Sequence, residues 1–213
     1  MPGAGFKTFT AGEVFTATDA NTYLMQQAVM VFTNEAARDA AITSPSEGMH
    51  AYLTTPTTYA ATGGITAGTT GVNCVHNGSK WVCISPVTAR TNDNGSTTST
   101  SYTSTLSGGG TNPSVTLETG TTALVTLGLH QYVEGAAANC FMSVAVSGAT
   151  TLAAADDKCL AQVHTGTGNQ NTLGSQIVLT GLTAGVNTFT LQYRVSAQTG
   201  RFIYRTISVV GLL

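Results

Sequence analysis

The sequence predicts a mainly β protein: a small N-terminal α+β docking unit followed by an eight-stranded, jelly-roll-like β-sandwich. Its C-terminal half contains regularly spaced, strand-length runs in which apolar and polar residues alternate. The chain is also rich in threonine, whose branched β-carbon favours strands. Only 8% of the 213 residues are charged, against roughly 25% in ordinary soluble domains. A surface of hydroxyls and backbone suits a protein held in a larger assembly.

Residues 1–86 are predicted to form the docking unit. An extended arm over residues 1–17 leads into a short helix over Thr18–Gln27. Thr18 is the expected N-cap of this helix, and Asp19 complements the positive end of its dipole. A second helix is predicted over Asn34–Ile42, with Thr33 or Asn34 as its cap. Its exposed polar face is expected to carry Glu35, Arg38 and Asp39.

A β-hairpin is predicted within residues 71–84, because Asn77-Gly78 favours a two-residue type I′ turn. Pairing around this turn places Cys74 opposite Trp81 and leaves Cys83 on the diagonal, roughly 7–8 Å away. A disulfide at that separation needs distortion, so buried free thiols are expected. Trp81 is expected to pack the hairpin against the second helix.

The other two cysteines, Cys140 and Cys159, face each other if their strands form a hairpin closed by residues 148–157. Free thiols are the expectation here as well, and a disulfide stays open as the alternative. The four cysteines lack C-x-x-C spacing and the four histidines are scattered, so no metal site is predicted.

The middle of the chain changes composition. Residues 87–96 are predicted as a linker, because Asn, Asp, Gly and Ser cluster there. Thr97–Leu106 is read as a polar strand that opens the sandwich, since hydroxyl residues alternate with Tyr102 and Leu106. The sandwich is expected to span residues 97–213. Its other seven strands are Ser114–Glu118, Thr122–Glu134, Asn139–Ser147, Lys158–His164, Ser175–Leu182, Asn187–Val195 and Phe202–Val210.

Charge and sequence patterns exclude several classes of function. A net charge of −2 and a pI near 6.0 argue against a nucleic-acid partner, which needs a basic face. The sequence contains no run of about 18 apolar residues, so no membrane span is predicted. The start of the sequence lacks an apolar signal core, so synthesis and folding in a host cytoplasm are expected. Asp156-Asp157 is the only acidic pair and lies in a loop, so neither catalysis nor a cofactor is predicted.

Arginines cluster near the C-terminus. Arg194, Arg201 and Arg205 are three of only eight basic residues, and a hairpin of the last two strands would bring Arg194 near one of the others. Two interpretations stay open: salt bridges to Glu118 or Glu134 within one subunit, or planar contacts between subunits around a threefold axis.

Several runs resemble the tail and fibre-like structural proteins of phages of actinobacteria. The N-terminal run covers residues 9–32 and is followed by Ala-Ala-Arg-Asp-Ala (36–40), Glu-Gly-Met (47–49) and Asn-Gly-Ser-x-Trp-Val (77–82). The C-terminal stretch is similar to a β-sandwich module of the same proteins. It is carried by residues 144–150, 179–195 and 207–210.

The resemblance implies a virion structural component, commonly trimeric, whose partners are its own copies and other virion proteins. Tyr23 and Leu24, in the N-terminal run, are then candidate interface residues together with the three arginines. The leading hypothesis is a tail-fibre or minor tail component that docks by residues 1–86 and projects the sandwich. A capsid decoration or head-fibre protein is the alternative, and a carbohydrate-binding module for host-surface glycans is the second alternative.

Overall fold

The computed structural model describes residues 7–25, 28–166 and 168–213, and it confirms a mainly β, sandwich-like fold with few helices. Residues 1–6 of the predicted arm, and Gln26 and Gln27 of the predicted first helix, lie outside the described residues. The helical elements are α1 (Ala17–Asp19), a π-helical turn over Ala20–Met25, α2 (Glu35–Ala41) and a 3-10 turn over Asp156–Lys158. The strands are β1 (Val29–Phe32), β2 (His50–Leu53), β3 (Ala60–Thr62), β4 (Ile65–Ala67), β5 (Val72–His76), β6 (Trp81–Cys83), β7 (Val87–Arg90), β8 (Gly95–Thr97), β9 (Ser114–Thr119), β10 (Thr122–Glu134), β11 (Ala138–Gly148), β12 (Leu160–His164), β13 (Asn171–Thr180), β14 (Gly185–Val195) and β15 (Thr199–Leu212).

Two sheets form the sandwich. The six-stranded sheet has the order β13-β10-β15-β7-β4, with β8 also paired to β15, and the five-stranded sheet has the order β12-β11-β14-β9-β3. Side chains on each strand alternate between the two faces, so every second residue enters the space between the sheets. Tyr193, Phe189 and Phe202 are among the largest fully buried side chains of this core.

The seven strand runs predicted after residue 113 are all present. One of them, Thr122–Glu134, matches β10 end to end. Thr97–Leu106, in contrast, is not a strand beyond its first residue, and Thr103 makes only an isolated bridge to Tyr193. The hydroxyls of Thr97, Ser99 and Thr103 accept hydrogen bonds from backbone N–H groups two residues later, which competes with pairing in a sheet.

The predicted linker over residues 87–96 is wrong, because β7 and most of β8 lie within it. Both strands pair antiparallel with β15, and Val87 and Ala89 point into the core. From the predicted docking unit, β3 and β4 occupy the edges of the two sandwich sheets. Independent folding of residues 1–86 stays a prediction.

A third sheet, with the order β1-β2-β5-β6, lies at one end of the sandwich, where β6 packs against β9 and β15. The β5–β6 hairpin closes with the four residues 77–80, because the Asn77 side chain accepts hydrogen bonds from the N–H groups of Ser79 and Lys80. The predicted register is therefore wrong. Cys74 lies opposite Cys83, and His76 lies opposite Trp81.

The other cysteines and the first helix also differ from expectation. Cys140 pairs with Gln162 rather than facing Cys159, and all four cysteines are free thiols. Thr16, not Thr18, caps α1, because Thr16 and Asp19 exchange reciprocal side chain-to-backbone hydrogen bonds of 3.1 and 3.0 Å. Asn34 caps α2, as predicted.

Candidate functional site

Exposed apolar side chains are concentrated near the N-terminus. Among the described residues, seven of the thirteen exposed large hydrophobic side chains fall between residues 9 and 31. We call these seven the N-terminal apolar surface: Phe9, Val14, Phe15, Leu24, Met25, Val29 and Val31. Their exposed fractions run from 40 to 76%. Exposed apolar groups gathered in one segment are typical of a contact surface for another molecule.

The segment that carries this surface is held by ionic contacts. The Lys7 ammonium lies 2.6 Å from Asp19 and 2.8 Å from Glu13, and 4.6 Å from the centre of the Phe9 ring. Hydrogen bonds from Lys7 and Thr16 lower the pKa of Asp19 to about 2, and the same carboxylates raise the pKa of Lys7. The arm and α1 are thus joined at their polar groups while their apolar groups face outward.

Both N-terminal candidate residues lie in this segment. Leu24 is 55% exposed and belongs to the N-terminal apolar surface. Tyr23 is half-buried, with its ring centre 5.7 Å from the Lys7 nitrogen. Their role as interface residues stays a prediction.

The strand β1 adds an unpaired backbone edge to this surface. It pairs in parallel with β2 on one side, and no described strand pairs with its other side. Val29 and Val31 are exposed, whereas Met30 and Phe32 pack against the core. An edge strand with an exposed apolar face offers both hydrogen bonds and side-chain contacts to an added strand.

A groove of about 290 Å³ lies between β1, α2 and the π-helical turn. Its apolar lining includes Met25, Met30, Met49 and Ile42. Methionine side chains are flexible and adapt to differently shaped partners. The groove thus shares Met25 with the N-terminal apolar surface and Met30 with β1.

A buried ionic joint connects α2 to the sandwich. The Arg38 guanidinium, whose side chain is 1% exposed, forms a bidentate contact with Glu118 of β9 at 3.0 and 3.2 Å, and a third contact with Asp39 at 2.8 Å. Its carbon lies 4.7 Å from the centre of the Trp81 ring. Burial works against the charge of Arg38, but the two carboxylates outweigh it and raise the pKa of the guanidinium.

Three more side chains complete the joint. Tyr59 donates a hydrogen bond of 2.6 Å to Glu118, and its hydroxyl lies 3.0 Å from the Cys74 sulfur. Glu35 accepts hydrogen bonds from the backbone N–H groups of Thr57 and Thr58 at 2.9 and 3.1 Å. Burial tends to raise the pKa of Glu35, but these bonds hold it below its ordinary value.

The expectation that Glu35 and Arg38 lie on an exposed face of the second helix is therefore wrong, since they are 6% and 0% exposed. Asp39 is exposed, as expected. Glu118 was expected to pair with one of the C-terminal arginines, but it pairs with Arg38 instead. Trp81 does pack the hairpin against α2, as predicted.

The three C-terminal arginines do not come together. Arg194 lies on the outer face of the five-stranded sheet, where its guanidinium makes two hydrogen bonds to Asp156 and lies 3.6 Å from the centre of the Phe141 ring. Arg201 lies on the other sheet and pairs with Glu134 at 2.9 Å, one of the two predicted partners. The expected hairpin contact between Arg194 and the other arginines is absent because β14 and β15 belong to different sheets.

Arg205 lies inside the sandwich and is 1% exposed, so its side chain is not available for contact with another subunit. It donates hydrogen bonds to the Gly109 carbonyl and, at 3.5 Å, to the Tyr193 hydroxyl. A β-bulge, in which Tyr204 and Arg205 lie opposite Leu129 alone, shifts the alternation of β15 and turns Arg205 inward. Strict alternation from the sequence could not locate that bulge.

Within the three described stretches, no group of three or more His, Cys, Asp or Glu side chains is arranged to hold a metal ion. No helix among the same residues is long and apolar enough to cross a membrane.

Comparisons with known proteins find likenesses only at the level of structure, since no family model and no curated protein matches the sequence. Eiger, a TNF from S. frugiperda, has 12% identity and a TM-score of 0.38, over 59% of this chain and 92% of that one. A chain of infectious bursal disease virus, Gx strain, has 9% identity and a TM-score of 0.37, over 66% of this chain and 41% of that one. The CBM22-1 xylan-binding domain of Paenibacillus barcinonensis Xyn10C has 13% identity and a TM-score of 0.33, over 80% of this chain and all of that one. Likenesses this distant carry no conclusion about function.

Proposed function

We propose that this chain is a non-enzymatic structural protein of a virus particle. It docks by the N-terminal apolar surface and projects the β-sandwich as a tail-fibre or minor tail component. The single observation that carries the proposal is the concentration of exposed apolar side chains and one unpaired strand edge between residues 9 and 31. A chain with so few charged residues depends on a partner to cover such a surface.

The ionic joint supports a projecting role. Arg38 of α2 and Glu118 of β9 lie 80 positions apart in the chain, yet they form a buried bidentate pair. A bidentate arginine–carboxylate contact fixes the relative orientation of the two side chains as well as their distance. A docked N-terminal segment would therefore hold the sandwich at one orientation to the particle.

The sequence resemblance supports a homotrimer in the virion, with other virion proteins as the partners of the docking surface. A capsid decoration or head-fibre protein remains the alternative, since the same surface would serve on a head as on a tail. Imaging of particles that carry a tagged copy of the chain separates the two, because the tag density would lie at the tail in one case and on the head in the other.

The docking surface is tested by charge substitution. A triple variant, Val14→Asp, Leu24→Asp and Val31→Asp, places carboxylates on it. The matched control carries Val163→Asp, Val178→Asp and Val186→Asp, which are exposed on the sandwich. Mass spectrometry of purified particles is expected to find at least tenfold less of the first variant, with the control at wild-type level. Equal incorporation of the two variants would contradict docking through this surface.

A further inference from the structure

The outer face of the six-stranded sheet carries two aligned rows of small and polar side chains. One row crosses five strands and contains, in order, Gly174, Gly128, Thr206, Arg90 and Ile65. The neighbouring row contains Gln176, Thr126, Ser208, Thr88 and Ala67. We call the flat part of this face the glycine shelf: Gly128, Gly174, Thr126, Gln176, Thr206 and Ser208.

Neither glycine of the shelf is required by the fold. Their φ angles are not in the left-handed region. A Cβ added to Gly128 would lie 3.5 Å from the nearest atom and one added to Gly174 would lie 3.6 Å away, both ordinary contact distances. Glycine within a strand weakens the strand, and it often marks a place where another molecule approaches closely. The pairing of Gly128 with Gly174 thus leaves an open, flat site on the sheet.

A strained aromatic residue borders the shelf. Tyr204, at the bulge in β15, has φ +49° and is 49% exposed. A bulky residue in the left-handed region is an outlier, and such strain is found at functional sites. The ring centre of Tyr204 lies 5.9 Å from that of His130, whose two ring nitrogens contact Thr172 and Gln170.

The same border carries an unpaired positive charge. Arg90 is exposed, and its guanidinium carbon lies 5.7 Å from the centre of the Tyr204 ring. Every other arginine of the chain forms at least one salt bridge or buried hydrogen bond, whereas no carboxylate among the described residues lies within salt-bridge distance of Arg90. The border therefore combines an exposed ring with a cation that has no protein counter-ion.

From this arrangement we infer that the glycine shelf binds an acidic saccharide. A pyranose ring packs its C–H face on the Tyr204 ring, its hydroxyls exchange hydrogen bonds with Thr126, Thr206 and Ser208, and its carboxylate or phosphate group pairs with Arg90. A flat shelf without a deep pocket suits an extended glycan chain. The inference rests on the proposed place of the chain in a virus particle only for the source of the glycan, which would be the host surface; binding itself does not depend on that proposal.

The test uses the full chain and two oligosaccharides of equal length, one of hexuronic acid and one of the neutral hexose, in isothermal titration. The acidic probe is expected to bind at least fivefold more tightly at low salt, with a smaller difference at 0.5 M salt because the charge contact is exposed. A hexose 6-phosphate probe separates phosphate from carboxylate recognition. No binding of either acidic probe, or equal binding of acidic and neutral probes, overturns the inference.

Three variants locate the site. Tyr204→Asn removes the ring but keeps a residue that tolerates the left-handed region, and Gly174→Val places a side chain on the shelf. Each is expected to weaken acidic-probe binding at least tenfold, whereas Arg90→Gln should remove the preference for the acidic probe. The matched control, Thr180→Val, puts valine on the same face of β13 and should bind normally. Wild-type binding by Tyr204→Asn and Gly174→Val, both folded by circular dichroism, overturns the assignment. All four variants should still be incorporated into particles at the wild-type level. A failure of saccharide binding would then be distinguishable from a failure of docking.

Discussion

Replacing Arg38 with methionine should strongly destabilise the protein. The substitution keeps side-chain length but leaves Glu118, 17% exposed and in contact with Tyr59, without its cation. Removing one partner of a buried ion pair costs about 3–5 kcal/mol, and partial exposure of Glu118 favours the lower end, about 3 kcal/mol. For a chain of this size the thermal midpoint should fall by roughly 6–12 °C. Urea unfolding of wild type and variant, followed by tryptophan fluorescence, measures the loss directly because Trp81 lies against Arg38.

A double-mutant cycle with Glu118→Gln tests the cause. The sum of the losses in unfolding free energy of the two single variants should exceed the loss of the double variant, and the difference, the coupling free energy, should be about 1–3 kcal/mol. Arg201→Met is the matched control, since Arg201 and Glu134 form an exposed pair that contributes at most about 1 kcal/mol. A loss below 1 kcal/mol for Arg38→Met, or additive single losses, would refute the view that the ionic joint fixes α2 to the sandwich.

Three further predictions concern pH, thiol reactivity and assembly. The pKa of Glu35 lies below its ordinary value of 4.5, so its contribution to stability is present above pH 4.5 and is lost as the pH falls through the folded-state pKa. Glu35→Gln should therefore flatten the fall in the free energy of unfolding between pH 5 and 3. If the variant and the wild type lose stability in parallel over this range, the prediction is wrong. Burial raises the thiol pKa of Cys74 to about 11 and those of Cys83 and Cys140 to about 12, and it also raises the pKa of Cys159, which is only partly buried. An aromatic disulfide reagent at pH 8 should therefore reach Cys159 faster than the three buried thiols, and Cys159→Ser should remove that faster phase. If Arg194 makes an intersubunit contact, Arg194→Met should shift the native mass from trimer to monomer, and an unchanged oligomer would count against that role.

Strand positions in the sandwich were predictable because one face of each strand is buried. In β14, Phe189, Leu191 and Tyr193 alternate with polar residues, and this period-two pattern requires one face to point inward. The predicted bounds of Thr122–Glu134 agree with β10 for the same reason. A pattern set by burial is local, so it can be read without knowledge of the partner strands.

Features that depend on distant contacts were not predictable. The charge of Arg38 predicts a surface position, and only the approach of Glu118 from β9 makes its burial favourable. Residues 97–105 all carry hydroxyl groups, which favoured a strand, but the hydroxyls of Thr97, Ser99 and Thr103 bond to the local backbone instead. A single-residue bulge at Tyr204 reverses the face of Arg205, and the alternating pattern of β15 gives no sign of it.

The placement of β3 and β4 has a consequence for synthesis. These two short strands, only two residues apart in the chain, form the edges of the two sandwich sheets, and the neighbours β9 and β7 that they pair with belong to sheets completed by β14 and β15. The β7–β15 ladder joins residues about 120 positions apart, such as Thr88 and Ser208. The five-stranded sheet therefore lacks a central strand until β14 has been synthesised, and the six-stranded sheet lacks one until β15 has been synthesised. Such long-range pairing folds slowly, so the nascent chain should carry unpaired edges through most of its translation and depend on chaperones or on early contact with sister chains.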